Sequence, residues 1–269
     1  MAENSKIEWT DHTANLWHGC TPVHEGCYNC YACSISKRYG REIWGNDKPR
    51  YAVESFWKDI EKFQKDALKD NVKRMVFVGS MMDIFEKPMS IVKFNGLPFN
   101  LFNGIERNNF TTDDLRQYFF NNIVPSCSNL IFLLLTKRPS NINKYIPESW
   151  KLNPPSNVFF GTSPVNQATF NTLVPQLNQV NGRRFLSIEP LLGKIENINL
   201  TGIDWVIVGG ESGPKSRPIE ENWVLEIRDY CQSQNIPFFF KQWGGVHKKK
   251  TGKLLDGKYY QEFPIINNI

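Results

Sequence analysis

The sequence lacks several features that would assign its class at once. No apolar run approaches the roughly 20 residues that a helix needs to cross a bilayer. The opening Met-Ala-Glu-Asn-Ser-Lys has neither the basic nor the apolar region of a secretory signal. Low-complexity tracts are absent, and the only repeat is an alternation of strand-like and helix-like segments. Gly209-Gly-Glu-Ser-Gly-Pro214 is glycine-rich, but its spacing matches neither a dinucleotide fingerprint nor a phosphate loop. Together these absences predict a cytoplasmic protein with no membrane partner. In that reducing setting, clustered cysteines bind metals or react and rarely form disulfides.

What is present starts with size. The chain has 269 residues, enough for one large domain with a sizeable core or for two small ones. It is 41% hydrophobic and 13% aromatic, with 19 Phe and 8 Trp, so it should fold. A net charge of +5 admits a phosphate-bearing partner without requiring one.

Four of the six cysteines fall within Cys20-Thr-Pro-Val-His-Glu-Gly-Cys27-Tyr-Asn-Cys30-Tyr-Ala-Cys33. Thiolates are soft ligands, which leaves zinc and iron–sulfur clusters as the candidates. For zinc, Cys27-x-x-Cys30 is half a finger or ribbon, and Cys20 or His18 with Cys33 or His24 would complete four ligands. No second paired knuckle follows, and a large α/β domain does not need metal to fold. For a [4Fe–4S] cluster, Cys20, Cys27 and Cys30 hold three irons and leave one open; Cys33 either closes it or lies on the following helix. Cys127 and Cys231 lie far off and read as small buried hydrophobes.

Six short apolar runs follow: Met75–Val78, Leu130–Leu135, Asn157–Phe160, Arg184–Ile188, Trp205–Val208 and Pro237–Phe240. Each is nearly continuous in apolar residues, the pattern of parallel strands covered on both faces. A further strand or loop is expected within Thr10–Gly19. Helical segments are expected from Ser34, over Ala52–Leu68, Thr112–Ile123, Ser140–Tyr145, Val165–Val180 and Asn222–Gln234, with a partial one between Glu189 and Asp204. This alternation predicts an α/β fold, a partial (β/α) barrel of six or seven mostly parallel strands, with a doubly wound open sheet as the alternative. The reading is one domain over 1–245. Residues 86–109 form an insertion or lid near the site, and 246–269 a basic and aromatic tail. The run His247-Lys-Lys-Lys250 reads as solvated surface.

Ligands of parallel α/β folds bind where strands end. Nearly every run stops at a polar residue: Ser80 and Asp83; Thr136, Lys137 and Arg138; Ser163; Glu189; Glu211 and Ser212; Lys241 and Gln242. Ser163, before Pro164, also reads as a helix start. Glu189, rigidly placed before Pro190, also reads as a salt-bridge partner of Lys137, Arg138 or Lys241.

Several segments in order resemble a phage-type family of radical-SAM-like proteins of unknown function. They are Trp17-His-Gly-Cys20 through Cys27-x-x-Cys30-Tyr-Ala, Val76-Phe-Val-Gly-Ser80-Met-Met-Asp83, Leu135-Thr-Lys-Arg-Pro139 and Phe160-Gly-Thr-Ser163. Leu186-Ser-Ile-Glu-Pro190-Leu-Leu-Gly193, Asp204–Pro214 and Phe239-Phe-Lys-Gln-Trp243-Gly-Gly245 continue the likeness. The spacing of six then two residues is the one this family shows, whereas the common radical-SAM motif has three then two. The resemblance implies a [4Fe–4S] cluster on Cys20, Cys27 and Cys30 that binds S-adenosylmethionine at its open iron. A 5′-deoxyadenosyl radical would then form and abstract hydrogen from a substrate. It further implies an electron donor. Ser80 and Asp83 are placed at the amino group of S-adenosylmethionine, Ser163 and Glu189 at its ribose or carboxylate, and Thr136, Lys137, Glu211 and Lys241 along the pocket. Mild basicity, exposed aromatics and the resemblance point to a nucleic acid or nucleotide as substrate. The competing readings are a non-catalytic nucleic-acid-binding protein with a structural zinc or iron–sulfur site, and a metal-free barrel hydrolase or lyase.

Overall fold

A computed structural model describes residues 3–246 and 251–266. Its centre is a curled sheet of seven strands, all parallel: β1 (His12–Ala14), β2 (Arg74–Val78), β3 (Leu130–Thr136), β4 (Val158–Thr162), β5 (Arg183–Ile188), β6 (Trp205–Gly209) and β7 (Phe238–Gln242). Their order in the sheet is their order in the chain. A doubly wound sheet reverses strand order at a switch point, and this one never does. The architecture is a partial β/α barrel.

The continuous apolar runs are explained by two separate cores. Val76, Val78, Phe132, Leu134, Phe160, Val206 and Phe240 face the helices. Their alternates Phe77, Leu133, Phe159, Phe185, Trp205 and Phe239 face the concave side around Trp9. Gly161 makes room for that inner core, because a Cβ there would lie 2.3 Å from the Phe185 ring.

The helices are α1 (Tyr31–Arg38), α2 (Phe56–Lys69), α3 (Thr112–Tyr118), α4 (Gln167–Leu177) and α5 (Glu221–Ser233). On α2 the buried set Phe56, Ile60, Phe63 and Ala67 recurs at helical spacing and faces the sheet. Asn166 caps α4 by accepting a hydrogen bond from the Thr169 amide at 3.0 Å. No helix among the described residues is long and apolar enough to cross a membrane.

Several expectations need correction. Ala52 belongs to a short strand, Arg50–Ala52, that pairs with Trp17–His18 and Ile91–Val92, so α2 starts four residues later than predicted. Between Glu189 and Asp204 there is no helix, and Asn197 and Gly202 turn the chain there through positive φ. The 86–109 insertion places none of its residues in the lining of the cavity described below. It folds a hairpin, Leu101–Phe102 with Ile105–Glu106, and buries Phe99. Phe102 packs against Trp57 and Tyr118, the apolar positions that α2 and α3 leave beside the sheet. The tail also packs against the body. The Phe240 amide donates to the Tyr260 carbonyl (2.8 Å) and Phe263 stacks near Trp205, so residues 260–263 cover the outer edge of β7. The His247–Lys250 run lies outside the described residues.

Candidate functional site

The strand ends open into a cavity of about 400 Å³. Its wall carries Cys20, Cys27, Cys30 and Cys33, and its lining includes Ser80, Asp83, Thr136, Lys137, Ser163, Glu189, Glu211 and Lys241. Every site residue expected from the sequence therefore reaches one space.

The cysteine segment is held by backbone geometry and by two arginines. Gly19 adopts φ +113°, and a Cβ there would lie 2.5 Å from the Ile43 carbonyl, so glycine is required. A turn at Glu25–Cys27 is capped by His24, whose Nδ1 accepts the Gly26 amide at 3.1 Å. Cys30 then forms the N-cap of α1, which carries Cys33. Arg50 is fully buried and donates to Glu86 through Nε (2.9 Å) and Nη2 (2.7 Å). Its remaining donors reach Thr21 Oγ1 and the carbonyls of Ile43, Gly45 and Lys48. Arg138 donates to Asp83 at 2.7 Å and to the Thr21 carbonyl, with Cys20 Sγ 3.8 Å from Nη1.

Asp83 is committed to that framework. One oxygen accepts from Thr136 Oγ1 (2.7 Å) and the Phe85 amide (3.0 Å), the other from Arg138 (2.7 Å) and the Lys137 amide (3.2 Å). A carboxylate offers about four acceptor sites, so Asp83 has none left for a ligand's amino group and acts as a positioning residue. Ser80 Oγ accepts from Asn15 Nδ2 at 2.9 Å. Glu211 is likewise held, by Asn29 and Arg217 at 2.9 Å each. Burial opposes its ionisation, but the hydrogen bonds from Arg217 and Asn29 keep its carboxyl below the ordinary range.

Glu189 is paired with Lys241 at 2.7 Å, one of the three partners expected, and also accepts from Ser187 (3.1 Å) and Trp9 (3.3 Å). The glycines of the β6 loop are crowded by the chain itself. A Cβ on Gly209 would lie 2.7 Å from Glu189 Oε1, and one on Gly210 would lie 2.1 Å from the Trp243 carbonyl. The close approach they allow is thus to protein atoms.

Three residues of the cavity lining, Ser163, Gln242 and Trp44 (through Nε1), carry a buried polar atom with no partner among the described residues. Ser163 is 1% exposed, and its Oγ bonds nothing. Gln242 is 7% exposed; its Nε2 donates to the Gly210 carbonyl (2.9 Å) and Ser212 Oγ (3.2 Å), which leaves Oε1 unpaired. Such orphans are uncommon in native interiors and mark places that a ligand or water completes. The Lys137 side chain also lacks an ion pair among the described residues.

The thiols are reduced and unpaired. Burial pushes the Cys20 thiol well up, with Asp83 adding and Arg138 opposing, so metal binding there must displace a proton. Burial, aided by Lys137 and Arg138, lowers His24 to about 4, leaving a neutral imidazole. Among the described residues no three His, Cys, Asp or Glu side chains gather closely enough to hold one metal ion. The donors are soft thiols, the ligand type that both zinc and iron–sulfur clusters take. Cys127 and Cys231 are buried in the core, as expected. Sequence reasoning missed Asn29, Arg50, Glu86 and Arg217; Asn29 finds Glu211 182 positions away and Arg50 finds Glu86 36 away, whereas Arg217 lies six residues from Glu211. It also missed Trp9 and Trp44, two more residues of the lining.

Fold and site define a parallel half-barrel with a thiol-lined ligand cavity at the C-terminal ends of its strands. The chain belongs to the family described as "Protein of unknown function (DUF5131)", whose model matches residues 4–110 and 107–264. Comparison with curated proteins and with solved structures finds no match.

Proposed function

We propose that the chain is a radical-SAM-type enzyme in which Cys20, Cys27 and Cys30 hold a [4Fe–4S] cluster beside a cavity for S-adenosylmethionine. The observation that carries this reading is the placement of these thiols on the wall of one strand-end cavity whose lining also holds three unsatisfied buried polar atoms. When bound, the cluster and S-adenosylmethionine supply one-electron cleavage of a sulfonium, the chemistry of hydrogen-atom abstraction. The chain's residues bind and orient. Gln242, fixed by its own Nε2 bonds, presents Oε1 to an N–H or O–H donor of the ligand. Ser163 Oγ supplies a hydroxyl, and the Lys137 ammonium attracts a carboxylate. The Glu189–Lys241 pair stays a fixed dipole in the wall, and the aromatic rings of Trp44, Tyr31 and Phe77 exclude water.

Anaerobic reconstitution with iron and sulfide tests the reading. The expected result is a brown protein with four irons that forms 5′-deoxyadenosine from S-adenosylmethionine under reductant. Cys27→Ala should lose both properties, and Cys33→Ser should keep four irons. One colourless zinc per chain, or a loaded cluster that never yields 5′-deoxyadenosine, would falsify it and favour a binding protein with a structural metal.

A further inference from the structure

The helix that begins at Cys30 carries an exposed face that shares only Tyr31 with the cavity lining. Its inner side buries Ala32 and Ser36. On another side Tyr31 and Ile35 lie four residues apart, Tyr39 follows at the C-cap, and Tyr28 stands in the turn before the non-helical Cys30. All four are exposed, Tyr28 by 77% and Tyr39 by 67%. Helices normally bury such a stripe, yet no other part of the described chain covers this one. From Tyr31 to Tyr39 it runs for about 12 Å.

The stripe is flanked by positive charge. Lys37, Arg38 and Arg41 form no ion pair among the described residues. The nearby carboxylates Glu42 and Asp47 lie against Lys48 instead, at 3.7 and 3.8 Å. Arg41 stacks its guanidinium 3.7 Å above the Phe94 ring and also lies 5.4 Å from the Tyr39 ring. Phe94 is itself half exposed. The stripe also leads to the cavity. Tyr31 lines it, and its hydroxyl donates to the Ser80 carbonyl at 2.7 Å.

We propose that this outer face of α1 docks a single-stranded nucleic acid and guides it to the cavity mouth. Flat rings in a row, with unpaired cations beside them, match the two surfaces of such a strand, its base faces and its phosphates. A duplex hides its base faces, so the face discriminates against it. Naming the strand as substrate rests on the reaction proposed above; the docking surface does not.

The test is fluorescence anisotropy of a short labelled oligonucleotide of mixed sequence, as DNA and as RNA, with the cluster-loaded protein. Single strands of one or both kinds should bind at least about tenfold tighter than the matching duplex. Tyr28→Ala with Tyr39→Ala should weaken binding about tenfold or more. Lys37→Gln, Arg38→Gln and Arg41→Gln together should flatten the slope of log affinity against log salt by about 2. All five positions are on the surface, so the variants should melt with the parent. Duplex binding as tight as single-strand binding, variants that bind like the parent, or affinity only for an acidic redox protein would each overturn the proposal. A strand that binds while 5′-deoxyadenosine never forms would discard the reaction and keep the surface. Turnover by a protein that binds no strand would do the reverse.

Discussion

The two sides of the cavity treat their polar groups in opposite ways. Where β2 and β3 end, the carboxylates are fully engaged: Asp83 accepts four hydrogen bonds, and Glu86 is gripped by the wholly buried Arg50, with only the Lys137 ammonium left over. Where β4 and β7 end, Ser163 Oγ and Gln242 Oε1 are buried with no partner. The first side spends its charges on fixing the cysteine segment against the barrel. The second keeps hydrogen-bonding capacity for something that is not part of the chain. Substitutions on the two sides should therefore move stability in different directions.

The largest effect is expected from Glu86→Ala, which strands the Arg50 guanidinium in the interior. Breaking one partner of a buried pair costs about 3–5 kcal/mol, and denaturant titration should show that loss. Asp83→Asn keeps the shape but weakens the bonds from Arg138 and Thr136. A hydrogen bond to a charged group is worth about 1.5–3 kcal/mol. The same variant should reconstitute with less iron, because Arg138 also holds the Thr21 carbonyl beside Cys20.

Acid should act next. His12, stacked on Phe63 at 4.0 Å, and His24 are both held below the ordinary histidine value of 6.5 by burial, His24 to about 4. Between those values the unfolded chain binds protons that the folded chain refuses. Their contribution is thus complete above pH 6.5 and is lost as pH falls towards 4. Melting curves over that interval should slope downward with acid, and less so in His12→Phe, which keeps a ring on Phe63.

The smallest change in stability belongs to the open side. Ser163→Ala removes a hydroxyl that bonds nothing, so stability should hold or rise by up to about 1 kcal/mol. Calorimetric titration with S-adenosylmethionine should nonetheless show weaker binding. A loss of stability in Ser163→Ala without a change in affinity would erase the contrast between the two sides.

Six of the seven strands were legible because both faces of each are buried, which leaves an unbroken apolar run. His12-Thr-Ala14 was not distinguishable as a strand. It is a three-residue edge, held by Asp11 and Thr10 bonding the amides of Met75 and Phe77, and such pairing leaves no local pattern. The convergence of the polar strand ends was legible because parallel strands all end on one side. Which of those residues are consumed was not. The acceptors of Asp83 are filled by Thr136 and Arg138, 53 and 55 residues away. The aromatic insertion read as a lid because its Phe residues gave no sign of their partners. These proved to be Trp57 and Tyr118, on the helical side.

The contact between Asn29 and Glu211 joins residues 182 positions apart. On a ribosome, the thiol segment emerges first and the wall that shelters it emerges last. Strands laid down in order extend the sheet one at a time, yet the shelter closes only when β6 and β7 arrive. A chain stopped short of residue 211 would lack the Glu211 partner of Asn29, so the wall beside the thiol segment is complete only when nearly the whole polypeptide has emerged.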